Sequence, residues 1–160
     1  MAVNAQKPQS ATSTDRIEKR IVLRAPQARV WRALTIAEQF SAWFGVKLDG
    51  EFVPGQTIRG KLTIPGYDHL TLDMLVERIE PEHYFSYRWH PYAIDPKTDY
   101  SAEPTTLVEF RLEEQAGATA LTIIESGFDR VPLNRRAEAF RMNDQGWASQ
   151  SQKLARYVES

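Results

Sequence analysis

The feature that most limits how this chain can fold is its last stretch, roughly residues 131–159, which reads as one long helix. Pro132 suits the first helical position, where a missing N–H costs little. No proline follows it, and Arg135 to Phe140 is rich in good helix formers. Phe140, Trp147, Leu154 and Val158 fall on one apolar stripe, which also carries the polar Asn143 and Ser151. About 27 residues at ~1.5 Å each make a rod of roughly 40 Å. Such a rod needs a large partner surface along its apolar side, and the preceding strands are the candidate.

Residues 1–14 hold Ala, Ser, Thr and Gln without hydrophobic period, and are expected to form a disordered tail ahead of a domain spanning 15–160. Ile17, Lys19, Ile21 and Leu23 alternate with Glu18, Arg20 and Val22, a first strand ending at Ala25. Pro26 opens a short helix through Leu34. Thr35 with Glu38 reads as a capping box that starts a second short helix carrying Phe40, Trp43 and Phe44. Gly45 ends it.

From Val46 the period is two. Strands are expected at 46–53, turned near Asp49-Gly50, then from Ile58 to Ile64, from Leu70 to Val76 and beyond, and around Phe85, Tyr87 and Trp89. The proline-bearing stretch 90–104 is a loop long enough to form a lid or entrance. Two further strands, from Thr106 to Leu112 and from Thr119 to Glu125, lead to the helix. The order is one strand, two short helices, six strands and one long helix. This is an α+β arrangement in which a consecutive antiparallel meander is half covered by the terminal helix.

Twenty Lys and Arg against 21 Asp and Glu leave a net charge of −1 and no bulk electrostatic case for nucleic acid or an anionic membrane. With no cysteine, disulfides, thiolate nucleophiles and zinc–cysteine sites are excluded. No apolar run approaches the ~20 residues of a membrane helix, and the N-terminus lacks a signal-peptide core, so a cytoplasmic location is expected. His69, His83 and His90 show no helical metal spacing, and there is no phosphate loop or Gly-x-Ser-x-Gly elbow. No metal and no cofactor are expected. Ser126 reads as a strand exit, and Arg135, Arg136 and Arg141 as a solvated helix face.

The aromatic residues carry more. Trp43, Phe44, Tyr87, Trp89, Phe110, Phe128, Phe140 and Trp147 are spread over every element able to face the helix. Each alone reads equally well as core packing. Together they suggest a cavity, because rigid rings converging on a curved sheet leave gaps. Asn143 and Ser151 would cost a few kcal/mol each if buried dry and unpaired, which a ligand or ordered water would relieve. Glu125 ends a strand near the start of the helix. It reads either as a partly solvated carboxylate paired with Arg130 or another base, or as a polar anchor or general base at the cavity edge.

Several stretches resemble a known family. They are Ala25-Pro26-Gln27-Ala28-Arg29-Val30-Trp31-Arg32-Ala33-Leu34-Thr35, Trp43-Phe44, Tyr87-Arg88-Trp89, Thr106-Leu107-Val108-Glu109-Phe110, Glu125-Ser126-Gly127-Phe128 and Gly146-Trp147. In this order and spacing they resemble the START-like (SRPBCC) superfamily, in the branch similar to the C-terminal domain of the activator of Hsp90 ATPase. The resemblance implies a helix-grip fold: a curved antiparallel sheet wrapped around the C-terminal helix, with a deep cavity for a small hydrophobic ligand between them. It supplies no reaction. The eukaryotic activator carries a separate N-terminal Hsp90-binding domain, whereas only the short polar tail is expected here.

The reading these residues favour is a non-enzymatic protein that binds a small lipid, aromatic or polyketide-like molecule. Trp43, Phe44, Tyr87, Trp89, Phe110, Phe140 and Trp147 would form walls, Glu125 and Asn143 would orient polar groups, and the 90–104 loop would gate access. The rivals are an aromatase/cyclase- or hydrolase-like enzyme in the same cavity and an Hsp90-associated stress-response partner. The chain is expected to be a monomer or homodimer.

Overall fold

The computed structural model describes residues 14–160, so the tail expected at the N-terminus lies, but for Thr14, outside the described residues. The elements follow the expected order: β1 (Arg16–Leu23), α1 (Gln27–Thr35), α2 (Ala37–Phe44), β2 (Val46–Asp49), β3 (Thr57–Leu62), β4 (Thr71–Glu80), β5 (Tyr84–Trp89), β6 (Thr106–Gln115), β7 (Ala118–Ser126) and α3 (Leu133–Glu159). A single 3-10 turn, Phe128–Arg130, leads into α3. The seven strands form one sheet in the order β1-β7-β6-β5-β4-β3-β2, and every pair is antiparallel. With the long C-terminal helix packed on it, this is a helix-grip arrangement. Among the described residues no helix is long and apolar enough to cross a membrane.

Local chemistry explains where the boundaries fall, including those that differ from expectation. The capping box is not formed. The Thr35 hydroxyl donates to the Trp31 carbonyl at 2.7 Å, and Ile36 caps α2 without a side-chain bond. Only one residue separates the two helices, so Thr35 still belongs to the last turn of α1, where its hydroxyl reaches back four residues. Gly45, at φ 95°, ends α2 in the left-handed conformation that a side chain disfavours. β2 stops at Asp49 because Gly50 turns away at φ 110°, and 50–56 is a loop rather than a strand continuing to Val53. β3 stops at Leu62, short of Ile64: the Thr63 N–H still donates to the Gly45 carbonyl at 2.8 Å in the β2 register, and Ile64 then opens a turn in which its carbonyl accepts the Tyr67 N–H at 2.9 Å. Pro132 is the N-cap of α3 rather than its first helical residue.

The sheet face under the helices is unequal along its length. At one end, rings from β5, β6 and α2 fill the space. Phe85 stacks on Phe110 at 5.9 Å, Phe40 meets Tyr87 edge-on at 6.4 Å, and Phe52 closes on Phe85 at 5.0 Å. Phe40, Phe85, Tyr87 and Phe110 are wholly buried. Each buried ring removes well over 100 Å² from water, so this cluster dominates the core. At the other end the packing opens into a space between α3 and the 62–73 and 89–101 segments.

Candidate functional site

Strand register assembles the first part of the site. Trp89 on β5 lies opposite Thr106 on β6, and Glu125 on β7 lies opposite Val108. All three therefore project from the same sheet face, with Thr106 and Glu125 on a diagonal. Above them α3 supplies Asn143 and Trp147, four residues apart and so on one helical face. Four side chains converge on the Glu125 carboxylate. Trp147 Nε1 donates to Oε1 at 2.8 Å, and Trp89 Nε1 to Oε2 at 2.8 Å. The Thr106 hydroxyl donates to Oε2 at 2.6 Å, and Asn143 Nδ2 bridges both oxygens at 3.0 and 3.1 Å. The two indoles stack on each other at 5.8 Å, tilted by 28°.

Glu125 is fully buried, and no ion pair reaches it among the described residues. Its expected solvation and its expected partner Arg130 are both replaced by uncharged donors. Burial pushes its pKa above the ordinary carboxylate range, while the bonds from Thr106, Trp89, Trp147 and Asn143 pull it back. Two donor-only indole N–H groups need an acceptor when buried, and one carboxylate satisfies them together with the hydroxyl and the amide. The polar residues of the α3 stripe are thereby paired within the protein. Asn143 bonds Glu125, and the Ser151 hydroxyl donates to the Ala148 carbonyl of its own helix at 2.9 Å. Neither needs a ligand or water for relief.

Beside this network lies a cavity of about 650 Å³ between α3, the 62–73 segment and the 89–101 segment. Phe44, Trp89, Tyr92, Ile94 and Leu72 give it a mainly apolar wall, and Asn143, Gly146, Gln150 and Lys153 form its helical side. A recess of about 130 Å³ lies against the same elements, bounded by Phe44, Trp89, Asn143, Gly146, Trp147 and Gln150. The network and the recess thus share a wall: three of the four groups that hold Glu125 also bound the recess.

The long loop folds over the cavity. Tyr92, Ala93, Ile94, Thr98, Asp99, Tyr100 and Ser101 line it, and Tyr92 holds a positive φ of 50°. Arg135, expected on a solvated face, instead ties both ends of this loop to the first turn of α3. It donates to the Pro91 carbonyl at 2.8 Å, pairs with Glu103 at 2.8 Å and lies over the Tyr100 ring at 4.7 Å.

The expected site residues divide by position. Phe44, Trp89 and Asn143 line both spaces, and Trp147 lines the recess. Glu125 lies beneath the wall without lining either. Trp43 turns into the core, where its Nε1 donates to the Ala33 carbonyl at 2.8 Å. Tyr87 and Phe110 belong to the packed ring cluster, and Phe140 packs edge-on against Phe128 at 5.1 Å. Thr106, Gly146, Gln150 and Lys153 are not among the site residues expected from the sequence. Gly146 did leave a signal, since a glycine inside a helix of good formers costs about 1 kcal/mol against alanine and so marks a place where a side chain is unwanted. Gln150 and Lys153 continue its face at steps of four and three. Among the described residues no group of three or more His, Asp or Glu side chains could hold a metal ion.

Comparison with known proteins adds kinship. The profile of the family described as "Activator of Hsp90 ATPase homolog 1-like protein" matches residues 24–159. No significant match is found among curated protein sequences. Among solved structures, DynU16, a protein in the dynemicin biosynthetic locus, is 27% identical with a TM-score of 0.70 over 91% of this chain. This chain spans about half of DynU16, 48% of its length. MLL2253 from Mesorhizobium loti is 24% identical, with a TM-score of 0.70 over 89% of this chain and 96% of its own. The Aha1 dimer from Colwellia psychrerythraea is 19% identical, with a TM-score of 0.68 over 90% of this chain and 96% of that one.

Proposed function

We propose that the chain, which belongs to the activator of Hsp90 ATPase homolog 1-like family, binds a small, largely apolar molecule between α3 and the loops at the strand ends. The observation that carries this reading is the cavity of about 650 Å³ with its aromatic wall and adjoining recess. Small-molecule sites have this size and this composition, mainly apolar with a few placed polar groups. The related DynU16 comes from a biosynthetic locus, which is in keeping with a small-molecule occupant.

Binding without catalysis fits the chemistry of Glu125, for which a general base is one of the alternative readings. A general base must come within hydrogen-bond reach of the proton it removes. Glu125 is sealed behind the wall, and its oxygens already accept from four side chains. In this reading it positions Trp89, Asn143 and Trp147 rather than reacting.

Tryptophan fluorescence titrated with lipids, flavonoids and polyketides tests the proposal. Saturable quenching by at least one class is expected, and its loss in Gly146→Leu, whose side chain would project into the cavity. A flat response across the panel would remove the reading.

A further inference from the structure

We infer that the cavity takes an aromatic molecule bearing an anionic group, held at that group by Lys153, with its ring system directed toward Trp89 and Trp147. The inference rests on the ligand-binding reading above and adds the chemical class of the ligand.

The helical wall carries it. Asn143, Gly146, Gln150 and Lys153 follow one another at steps of three, four and three, so they lie on one face of α3, and all four line the cavity. From Asn143 to Lys153 the helix rises about 15 Å, the length of two or three linked rings. Glycine in the middle leaves flat space, since a Cβ placed at Gly146 would meet nothing within 4 Å. One end of this face is electrically complete, because Asn143 is bound to Glu125. The other end is not.

Among the described residues, Lys153 is the one lysine or arginine lining the cavity. Its Nζ donates to the Phe44 carbonyl at 3.0 Å, and it makes no ion pair among the described residues. The acidic residues that share the lining are engaged elsewhere. Asp73 pairs with Arg59 at 2.7 Å, and Asp99 accepts the Ser101 backbone N–H at 3.0 Å. An ammonium has three donors, so two remain after the bond to Phe44.

The cation is not needed as a cap for α2. Phe44 presents a last-turn carbonyl, and Gln150 Nε2 also donates to it, at 2.9 Å. A neutral donor already reaches that oxygen, so the charge of Lys153 is available to a second partner. Burial lowers the Lys153 pKa, and the nearby Arg156 lowers it further. A carboxylate, sulfonate or phenolate in the cavity would restore the balance. Such a charge-assisted bond in an apolar surround is stronger than a neutral one.

Two probes with the same ring skeleton separate the charge from the cavity: 8-anilinonaphthalene-1-sulfonate and the uncharged N-phenyl-1-naphthylamine. Each is titrated by fluorescence at low salt into the wild type, Lys153→Gln, Lys153→Arg and Gly146→Leu. The glutamine variant keeps a donor for the Phe44 carbonyl, and circular dichroism checks its fold. The wild type is expected to bind the sulfonate about tenfold more tightly than the neutral probe. Lys153→Gln should erase that preference and leave the neutral probe unchanged, Lys153→Arg should retain it, and Gly146→Leu should abolish both. If the neutral probe binds and is blocked by Gly146→Leu, but the sulfonate gains nothing from Lys153, the anionic class is refuted and the cavity reading stands. If Gly146→Leu leaves both probes unaffected, neither occupies the cavity and both readings fall.

Discussion

Two ends of one helical face behave differently. At Asn143 and Trp147, α3 meets a buried carboxylate whose oxygens are filled by four donors. At Gln150 and Lys153, two turns on, the helix faces a cavity. Among the described residues, the Gln150 Oε1 there has no donor and the Lys153 ammonium no ion-pair partner. The first region is closed and internally satisfied, as buried polar networks must be to hold a fold together. The second has unused hydrogen-bonding capacity, and the proposed ligand would draw on it. A polar residue within an apolar stripe is therefore no evidence of a ligand until its own partners are known.

The largest expected effect breaks the closed end. Glu125→Ala leaves two indole N–H groups, a hydroxyl and an amide without their acceptor. Unfolding in urea should show a loss of about 3–5 kcal/mol. A loss under about 1 kcal/mol would mean that the network is incidental and that the contrast between the two ends is false.

Next comes the open end alone. Gly146→Leu should cut binding of the neutral naphthylamine at least tenfold while thermal stability holds or rises, since leaving glycine returns up to about 1 kcal/mol of helix propensity. A variant that unfolds instead would show that Gly146 packs against something, contrary to the open space around it.

Arg135→Ala probes the loop that folds over the cavity. It removes the Glu103 pair, the bonds to the loop carbonyls and the contact with Tyr100. The expected cost is about 1–2 kcal/mol. Hydrogen exchange should quicken across 91–103 and a bound probe should leave several-fold faster. Unchanged exchange in that segment would show that the loop holds itself.

The smallest effect is a titration. Burial holds the Glu125 carboxyl above its ordinary value, so the folded protein binds that proton more tightly than the unfolded chain. The contribution is fully present below about pH 4.3, the ordinary value, and fades as pH rises through the raised one. Glu125→Gln has no such titration. The stability gap between wild type and variant should therefore narrow from about pH 4 upward and then level. A gap that widens with pH would mean that the four donors outweigh burial.

Much of the fold is legible in the residue pattern because its signals are local. Alternation from Val46 onward, the glycines at 45 and 127 and the long proline-free tail mark strands, stops and helix without reference to anything distant. The site is less legible because its geometry is not local. Glu125 meets Trp89 and Thr106 only once three strands are in register, so neither its burial nor its uncharged partners can be read from its neighbours in the chain. Trp43 and Phe44 are adjacent and equally aromatic, yet one turns into the core and the other walls the cavity. Lys153 looks like any surface lysine until the fold sets it in one wall of a cavity opposite the 62–73 segment and the long loop.

The central claim is that the cavity beside the Trp89–Trp147 pair receives an aromatic ligand. The four tryptophans make the most direct measurement of it, through their indole N–H resonances in a ¹⁵N-labelled sample titrated with N-phenyl-1-naphthylamine. The account predicts saturable shifts for Trp89 and Trp147, whose rings bound the recess, and none for Trp43, which turns into the core and lines neither space. Shifts confined to Trp31 or Trp43, or no shift at any indole while the probe binds, would contradict it.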